Sequence, residues 1–203
     1  MLYARLRTTC LGPYRMANFI FFDIETDGLT DACKFKCAVA MSLGQGAAGF
    51  VHTFSDVDKF ARYLVHEDNA GATFVTWNGL SFDFRVVWNL CTDEAVRSQL
   101  CRVALRRHVD IMYAFLVEHG YPSSMQSFAV RLNESKTWTG EAAAEADADI
   151  EQVKEYCKND VSVLRKIYTA GSERGVLERR AASGKIATWA LPGGMFWGVD
   201  RCM

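Results

Sequence analysis

The chain has 203 residues, half of them hydrophobic and 23% charged, which provides one sizeable core and leaves little for a second. Its formal net charge is −1, too little positive charge for a protein that coats duplex nucleic acid by charge alone, and no apolar run is long enough to span a membrane. The seven cysteines are odd in number and include no C-x-x-C pair, which argues against both a disulfide framework and a zinc ribbon; they read as reduced thiols of an intracellular, cytoplasmic protein.

Residues 1–17 carry Arg5, Arg7 and Arg15 and no acid. They read as an N-terminal extension upstream of a second start at Met16, with an organelle-targeting segment as the alternative. Residues 18–203 read as one domain. Asn18–Glu25 (NFIFFDIE) is dense in β-favouring apolar residues and predicts a buried strand. Cys37–Leu43 and Gly49–Phe54 predict two more strands, joined through GQGAA. A helix follows, with Ser55 as its cap and Val57, Phe60, Ala61 and Leu64 as its apolar face. Thr73–Thr76 is a short fourth strand, ending in the turn signal Asn78-Gly79. Helical periodicity then runs through Phe84–Asn89, Glu94–Arg107, Ile111–His119 and Met125–Leu132, with Asp110 placed to cap the third of these. Ile150–Tyr168 has the clearest apolar face, after the acidic-alanine stretch at 141–149. Ile186–Leu191 and Met195–Val199 suggest a C-terminal hairpin around Pro192-Gly193-Gly194. Strands interleaved with helices imply an α/β fold, a mixed sheet flanked by helices.

Three groups of residues carry chemistry. FDIETDGL puts Asp23 and Glu25 two apart at the end of a strand, so both carboxylates share one face. Two like charges beside apolar neighbours are costly without a compensating cation, and hard divalent ions take oxygen ligands; solvated acids at a strand mouth are the alternative. TWNGLSFDF places Asp83 at the start of a helix, where an acid also serves as a cap. EYCKNDVSVL puts Tyr156 and Asp160 four apart on one helical face, either as part of a site or packed against each other.

Together, FDIET, the N-x-x-x-F-D of Asn78 to Asp83 and the Y-x-x-x-D of Tyr156 to Asp160 resemble the three motifs of the DEDD exonucleases of the ribonuclease-H-like superfamily. The tyrosine four residues before the last aspartate is similar to the DEDDy branch; the histidine of the other branch would stand where this chain has Glu155. TWNGLSFDF is especially similar to predicted exonucleases related to the proofreading domain of family B DNA polymerases. The resemblance spans about Phe19 to Tyr168. It implies a ribonuclease-H-like fold and a 3′-5′ exonuclease that releases nucleoside 5′-monophosphates from DNA or RNA. It further implies that Asp23, Glu25, Asp83 and Asp160 hold two Mg²⁺ or Mn²⁺ ions, in such sites about 3.5–4 Å apart. Tyr156 would orient the attacking water, and Thr26, Leu29 and Asn78 would meet a single-stranded 3′ end. Asp27 departs from the threonine common in that group, and bears on affinity.

Other features are weaker. Arg97, Arg102, Arg106, Arg107 and His108 cluster between the second and third groups, as do Arg174, Arg179, Arg180 and Lys185 near the C-terminus; a solvated face is the plainer reading than phosphate contact. Trp138, in the polar stretch NESKTWTGE, is the best candidate to stack on a base. His52, His66 and His119 lack metal-ligand spacing. A non-cleaving nucleic-acid-binding module and an accessory subunit of a replication or repair assembly are the competing functions. No feature of the sequence identifies a protein partner.

Overall fold

The computed structural model describes residues 18–30, 32–43, 50–134, 143–145 and 148–191. Strand β1, Phe19–Thr26, is the centre of a five-stranded sheet whose other members are β2 (Phe35–Ser42), β3 (Val51–Phe54), β4 (Thr73–Thr76) and β5 (His108–Asp110). The order is β3-β2-β1-β4-β5. β1, β2 and β3 are antiparallel neighbours, whereas β1, β4 and β5 run parallel. The mixed sheet expected from the sequence is therefore present.

Alternation along β1 sorts its side chains. Ile20, Phe22 and Ile24 enter one core with Phe60, Leu64, Phe74, Phe84, Val87, Leu100 and Val103. Apart from Phe74 of β4, these partners come from helices α1 (Val57–Asn69), α2 (Asp83–Leu90) and α3 (Glu94–Arg106) on one face of the sheet. Phe21 enters the other core, against the long helix α6 (Ile150–Arg174) and helices α4 (Ile111–His119) and α5 (Met125–Ala129). Burying one such phenylalanine is worth about 1.5–3 kcal/mol, so the register of β1 is strongly fixed.

Several boundaries differ from expectation, each for a local reason. The cap of α1 is Asp56, not Ser55: its extended backbone lets the carboxylate accept the Lys59 N–H at 3.0 Å. The helix expected to reach Arg107 stops at Arg106, and the chain enters β5, a three-residue edge strand too short for any periodicity to reveal. Met125–Leu132 divides into α5 and a 3₁₀ turn, Val130–Leu132. α6 continues six residues past Tyr168 to Arg174, where Gly175 ends it in the left-handed conformation.

A C-terminal hairpin is present, but the strand expected to open it, Ile186–Leu191, is its second strand, β7 (Ile186–Ala190). Its partner lies upstream, in β6 (Val176–Arg180); Met195–Val199 lies outside the described residues, as do Trp138 and residues 1–17. The ribbon seals the α6 core with Leu177 and Trp189, and the Trp189 indole N–H donates to Glu118 at 2.8 Å. No helix among the described residues is long and apolar enough to cross a membrane.

Candidate active site at the open end of the central strand

β1 pairs with β2 along nearly its whole length, from Ile20 to Thr26, with an irregularity between Glu25 and Thr26. It pairs with β4 only from Phe19 to Phe21. Beyond Phe21 the two parallel strands part at their carboxyl ends, where clefts form in open α/β sheets. Asp23 and Glu25 stand on this overhang, on the face shared with Phe21 and α6. One oxygen of each carboxylate and the Cys157 sulfur of α6 lie within 4.8 Å of one another. The Cys157 thiol is 3.4 Å from the Asp23 carbonyl oxygen and 4.0 Å from its Oδ2. Burial pushes this thiol well above its usual range, reinforced by the hydrogen bond it donates to Cys37 and by the charges of Asp23 and Glu25.

Asp83 closes the cleft from the other side. It is buried at the first position of α2, and its Oδ1 accepts the Ile24 N–H at 3.2 Å, where β4 is not paired with β1. Burial raises its pKa well above the ordinary carboxylate value, followed by the charges of Asp23 and Asp110; its own N–H and that of Ile24 only partly offset this. The turn leading to it is tightly built. Asn78 takes a left-handed φ of 67°, and Gly79 lies so close to Thr76 that a Cβ would fall 2.3 Å from the threonine hydroxyl. Only glycine fits at 79. Crowded carboxylates at the mouth of a cleft, one of them with its pKa raised by burial and by the charges of its neighbours, suit a divalent cation with oxygen ligands.

The sequence pattern of the RNase H superfamily matches residues 20–171, most of the chain and all of the elements that build the cleft. The chain belongs to the RNase H superfamily. Solved structures that share the fold include the family B DNA polymerase of the hyperthermophilic archaeon Pyrobaculum calidifontis, at 13% identity and a TM-score of 0.55, over 79% of this chain and 25% of that one. Exonuclease I of E. coli in complex with a 5cy-dA13 oligonucleotide matches at 13% identity and a TM-score of 0.46, over 78% and 41%. Exonuclease I from Methylocaldum szegediense matches at 11% and 0.45, over the same shares. This RNase H superfamily chain thus spans a quarter of the polymerase and less than half of each exonuclease I; what it shares with the polymerase at this identity is the fold. No curated protein matches the chain.

The remaining residues singled out from the sequence fall as follows. Asp160 is buried on α6, one turn beyond Cys157 and so on the side of the helix that faces β1. Tyr156 is buried beside Cys157. Thr26 is buried, and its hydroxyl donates to the Gly28 carbonyl at 2.5 Å, fixing the turn from which Leu29 projects into solvent, 77% exposed. Asp27 accepts the Lys34 N–H at 2.5 Å, so its charge is engaged with the backbone next to β2.

The basic groups are largely structural. Arg102 pairs with the buried carboxylate of Asp68 at 3.4 Å, Arg97 lies over Trp88, and Arg179 lies over Phe115 and Tyr121. His108 is half-buried, its Nε2 2.7 Å from the Thr76 hydroxyl; desolvation depresses its pKa to about 4. Two residues of the cleft escaped the sequence reading. Cys157 shares a helical face with Asp160 at i, i+3, a spacing that points to it. Asp110 was read only as a cap, because its other bonds reach back thirty residues.

Proposed function

We propose that this RNase H superfamily domain is a metal-dependent 3′-5′ exonuclease that hydrolyses phosphodiester bonds at the 3′ end of DNA or RNA and releases nucleoside 5′-monophosphates. The observation that carries the reading is the gathering of Asp23, Glu25 and Asp83 around the overhanging end of β1, opposite the α6 face that bears Asp160. Like charges brought together in a partly buried cleft raise the energy of the empty site, and cation binding relieves it.

Asp23, Glu25, Asp83 and Asp160 would hold two Mg²⁺ or Mn²⁺ ions. Bound there, the ions supply the charge that makes a water acidic and steadies the leaving 3′-oxygen. The rest falls to the protein. Tyr156, buried on α6, is assigned to orient the attacking water. The exposed Leu29 is assigned to the terminal base, on a turn braced by Thr26, and Asn78 to the opposite lip of the cleft. Near-neutral net charge suits a short grip on one strand end, so single-stranded substrate is favoured. Residues 18–203 form the catalytic unit on this reading. The free thiols of Cys33, Cys37, Cys91, Cys101 and Cys157 suit a reducing intracellular compartment.

The test is a digestion panel of single- and double-stranded DNA and RNA, labelled at either end, with Mg²⁺, Mn²⁺ or excess chelator. Stepwise shortening from the 3′ end that stops in chelator is expected. Full activity in chelator, or release from the 5′ end alone, overturns the proposal. Binding without cleavage at any metal concentration supports the non-cleaving module instead.

A further inference from the structure

Helix α2 begins without a cap of its own. Phe82 stands at its N-cap position, and no side chain there accepts a hydrogen bond from the first turn. Asp83 nevertheless has to be held in place, because it is the first residue of that helix.

The anchor comes from Asp110, at the end of β5. This carboxylate is buried, only 8% exposed, and three backbone donors converge on it. Oδ1 accepts the Asn78 N–H at 2.9 Å and the Tyr113 N–H at 3.0 Å; Oδ2 accepts the Leu80 N–H at 2.9 Å. The Tyr113 bond caps α4, whereas the other two bind the turn before α2. From Asn78 the turn is continuous: the Asn78 carbonyl accepts from Ser81 and Phe82, and the Gly79 carbonyl accepts from Phe84. Thr76 adds a second hold, its hydroxyl accepting the Gly79 N–H at 3.2 Å. The path from Asp110 to Asp83 therefore has no slack, and a carboxylate bonded to three N–H groups is a stiff support.

We propose that Asp110 is a positioning residue of the site: by clamping the Asn78 and Leu80 amides it sets where Asp83 enters the cleft. The inference rests on Asp83 acting as a metal ligand. Groups that orient a ligand in this way typically change metal affinity or activity by about 10–100-fold when removed.

Asp110→Asn separates the clamp from the cap. Its carbonyl oxygen can keep the Tyr113 and Asn78 bonds, and asparagine is a good N-cap, so α4 retains its start. Its amide nitrogen then meets the Leu80 N–H donor to donor. Asp93→Ala serves as the control, because Asp93 caps α3 in the same manner, accepting the Val96 N–H at 3.1 Å.

The experiment uses the full chain and measures Mn²⁺ affinity by electron paramagnetic resonance, the exchange rate of the Leu80 amide, the melting temperature, and kcat and KM for a 3′-labelled oligonucleotide. Asp110→Asn is expected to fold with a lowered melting temperature, to exchange the Leu80 amide faster, to bind Mn²⁺ about 10–100-fold more weakly and to lose kcat more than KM. Asp93→Ala is expected to lower only the melting temperature. Wild-type Mn²⁺ affinity and kcat in Asp110→Asn would overturn the positioning role, whether or not Asp110→Ala folds. Asp83→Asn is measured alongside. If it binds Mn²⁺ as wild type does, the ligand reading fails and takes this inference with it. If Asp83→Asn loses Mn²⁺ and Asp110→Asn does not, the positioning role alone fails.

Discussion

Asp83 and Asp110 are both buried aspartates at helix starts, and they border the same turn in opposite circumstances. Asp110 is bonded to three backbone amides. Asp83 accepts Ile24 and its own N–H while facing the charges of Asp23 and Asp110, which with burial push its pKa well up. A carboxylate saturated with N–H donors makes a scaffold; one crowded by like charge stores an unfavourable energy that a cation can relieve. The cleft combines both, a rigid back wall and a strained front.

The largest effects come from breaking the strained side. Asp23→Ala and Asp160→Asn should reduce 3′-end cleavage to background and shrink the rise in melting temperature on adding Mn²⁺. Asp23→Ala should fold at least as well as wild type without metal, since one of the crowded charges is gone. Next comes Tyr156→Phe, which keeps the buried ring and removes the hydroxyl. Single-turnover cleavage at saturating Mn²⁺ should fall by about 10²–10⁴-fold with metal affinity little changed. If the hydroxyl serves packing alone, turnover stays and stability falls by about 1 kcal/mol instead.

The back wall is broken by acid. His108 is neutral in the fold, its pKa lowered by burial from 6.5 to about 4 against the opposing pull of Asp110 and the Ala104 carbonyl. Its contribution is complete above pH 6.5 and is lost as pH falls toward 4, a change of about 3 kcal/mol at about 1.4 kcal/mol per unit. Denaturant unfolding of the metal-free protein across that range should show the loss, and His108→Gln should flatten it.

Asp83 has the reverse sign. Its pKa is raised in the fold, so its stabilising contribution is present below the ordinary value of 3.8 and lost as pH rises through the raised one. Metal-free Asp83→Asn should therefore outlast wild type at neutral pH, with the gap closing below pH 4. Saturating Mn²⁺ should reverse the order. The smallest effect lies far from the comparison: Asp56→Ala removes the α1 cap for about 1 kcal/mol and leaves Mn²⁺ affinity alone.

Much of the front of the cleft was legible in the sequence, because local rules place it. Alternation sends Asp23 and Glu25 to one face of β1, and helical spacing sends Asp160 to the buried face of α6. The back wall was not legible. β5 is three residues long, and the sequence around it shows arginines where a strand was needed. β6 carries Glu178, Arg179 and Arg180, whose charges mask the alternation that buries Leu177. The Asp110 clamp joins residues thirty apart through backbone amides, which leave no trace in side-chain pattern. Cys37 and Cys157 meet only because α6 crosses β2 and β1.

The unequal pairing of β1 has a consequence for the order of folding. β1 and β2 are joined by the short segment between Thr26 and Phe35, so this hairpin closes a small loop and can form early. Asp23 and Glu25 are then side by side in water, where their repulsion is screened. Asp83 arrives only with the parallel pairing of β4, after α1 has returned the chain, and Asp160 only when α6 docks, far later in sequence. The hairpin alone therefore does not bring the four acids together; that takes both long-range contacts. On the metal-site reading proposed above, repulsion among these acids arises only in the long-range steps of assembly, and those are the steps that a divalent cation in the surrounding solution would accelerate.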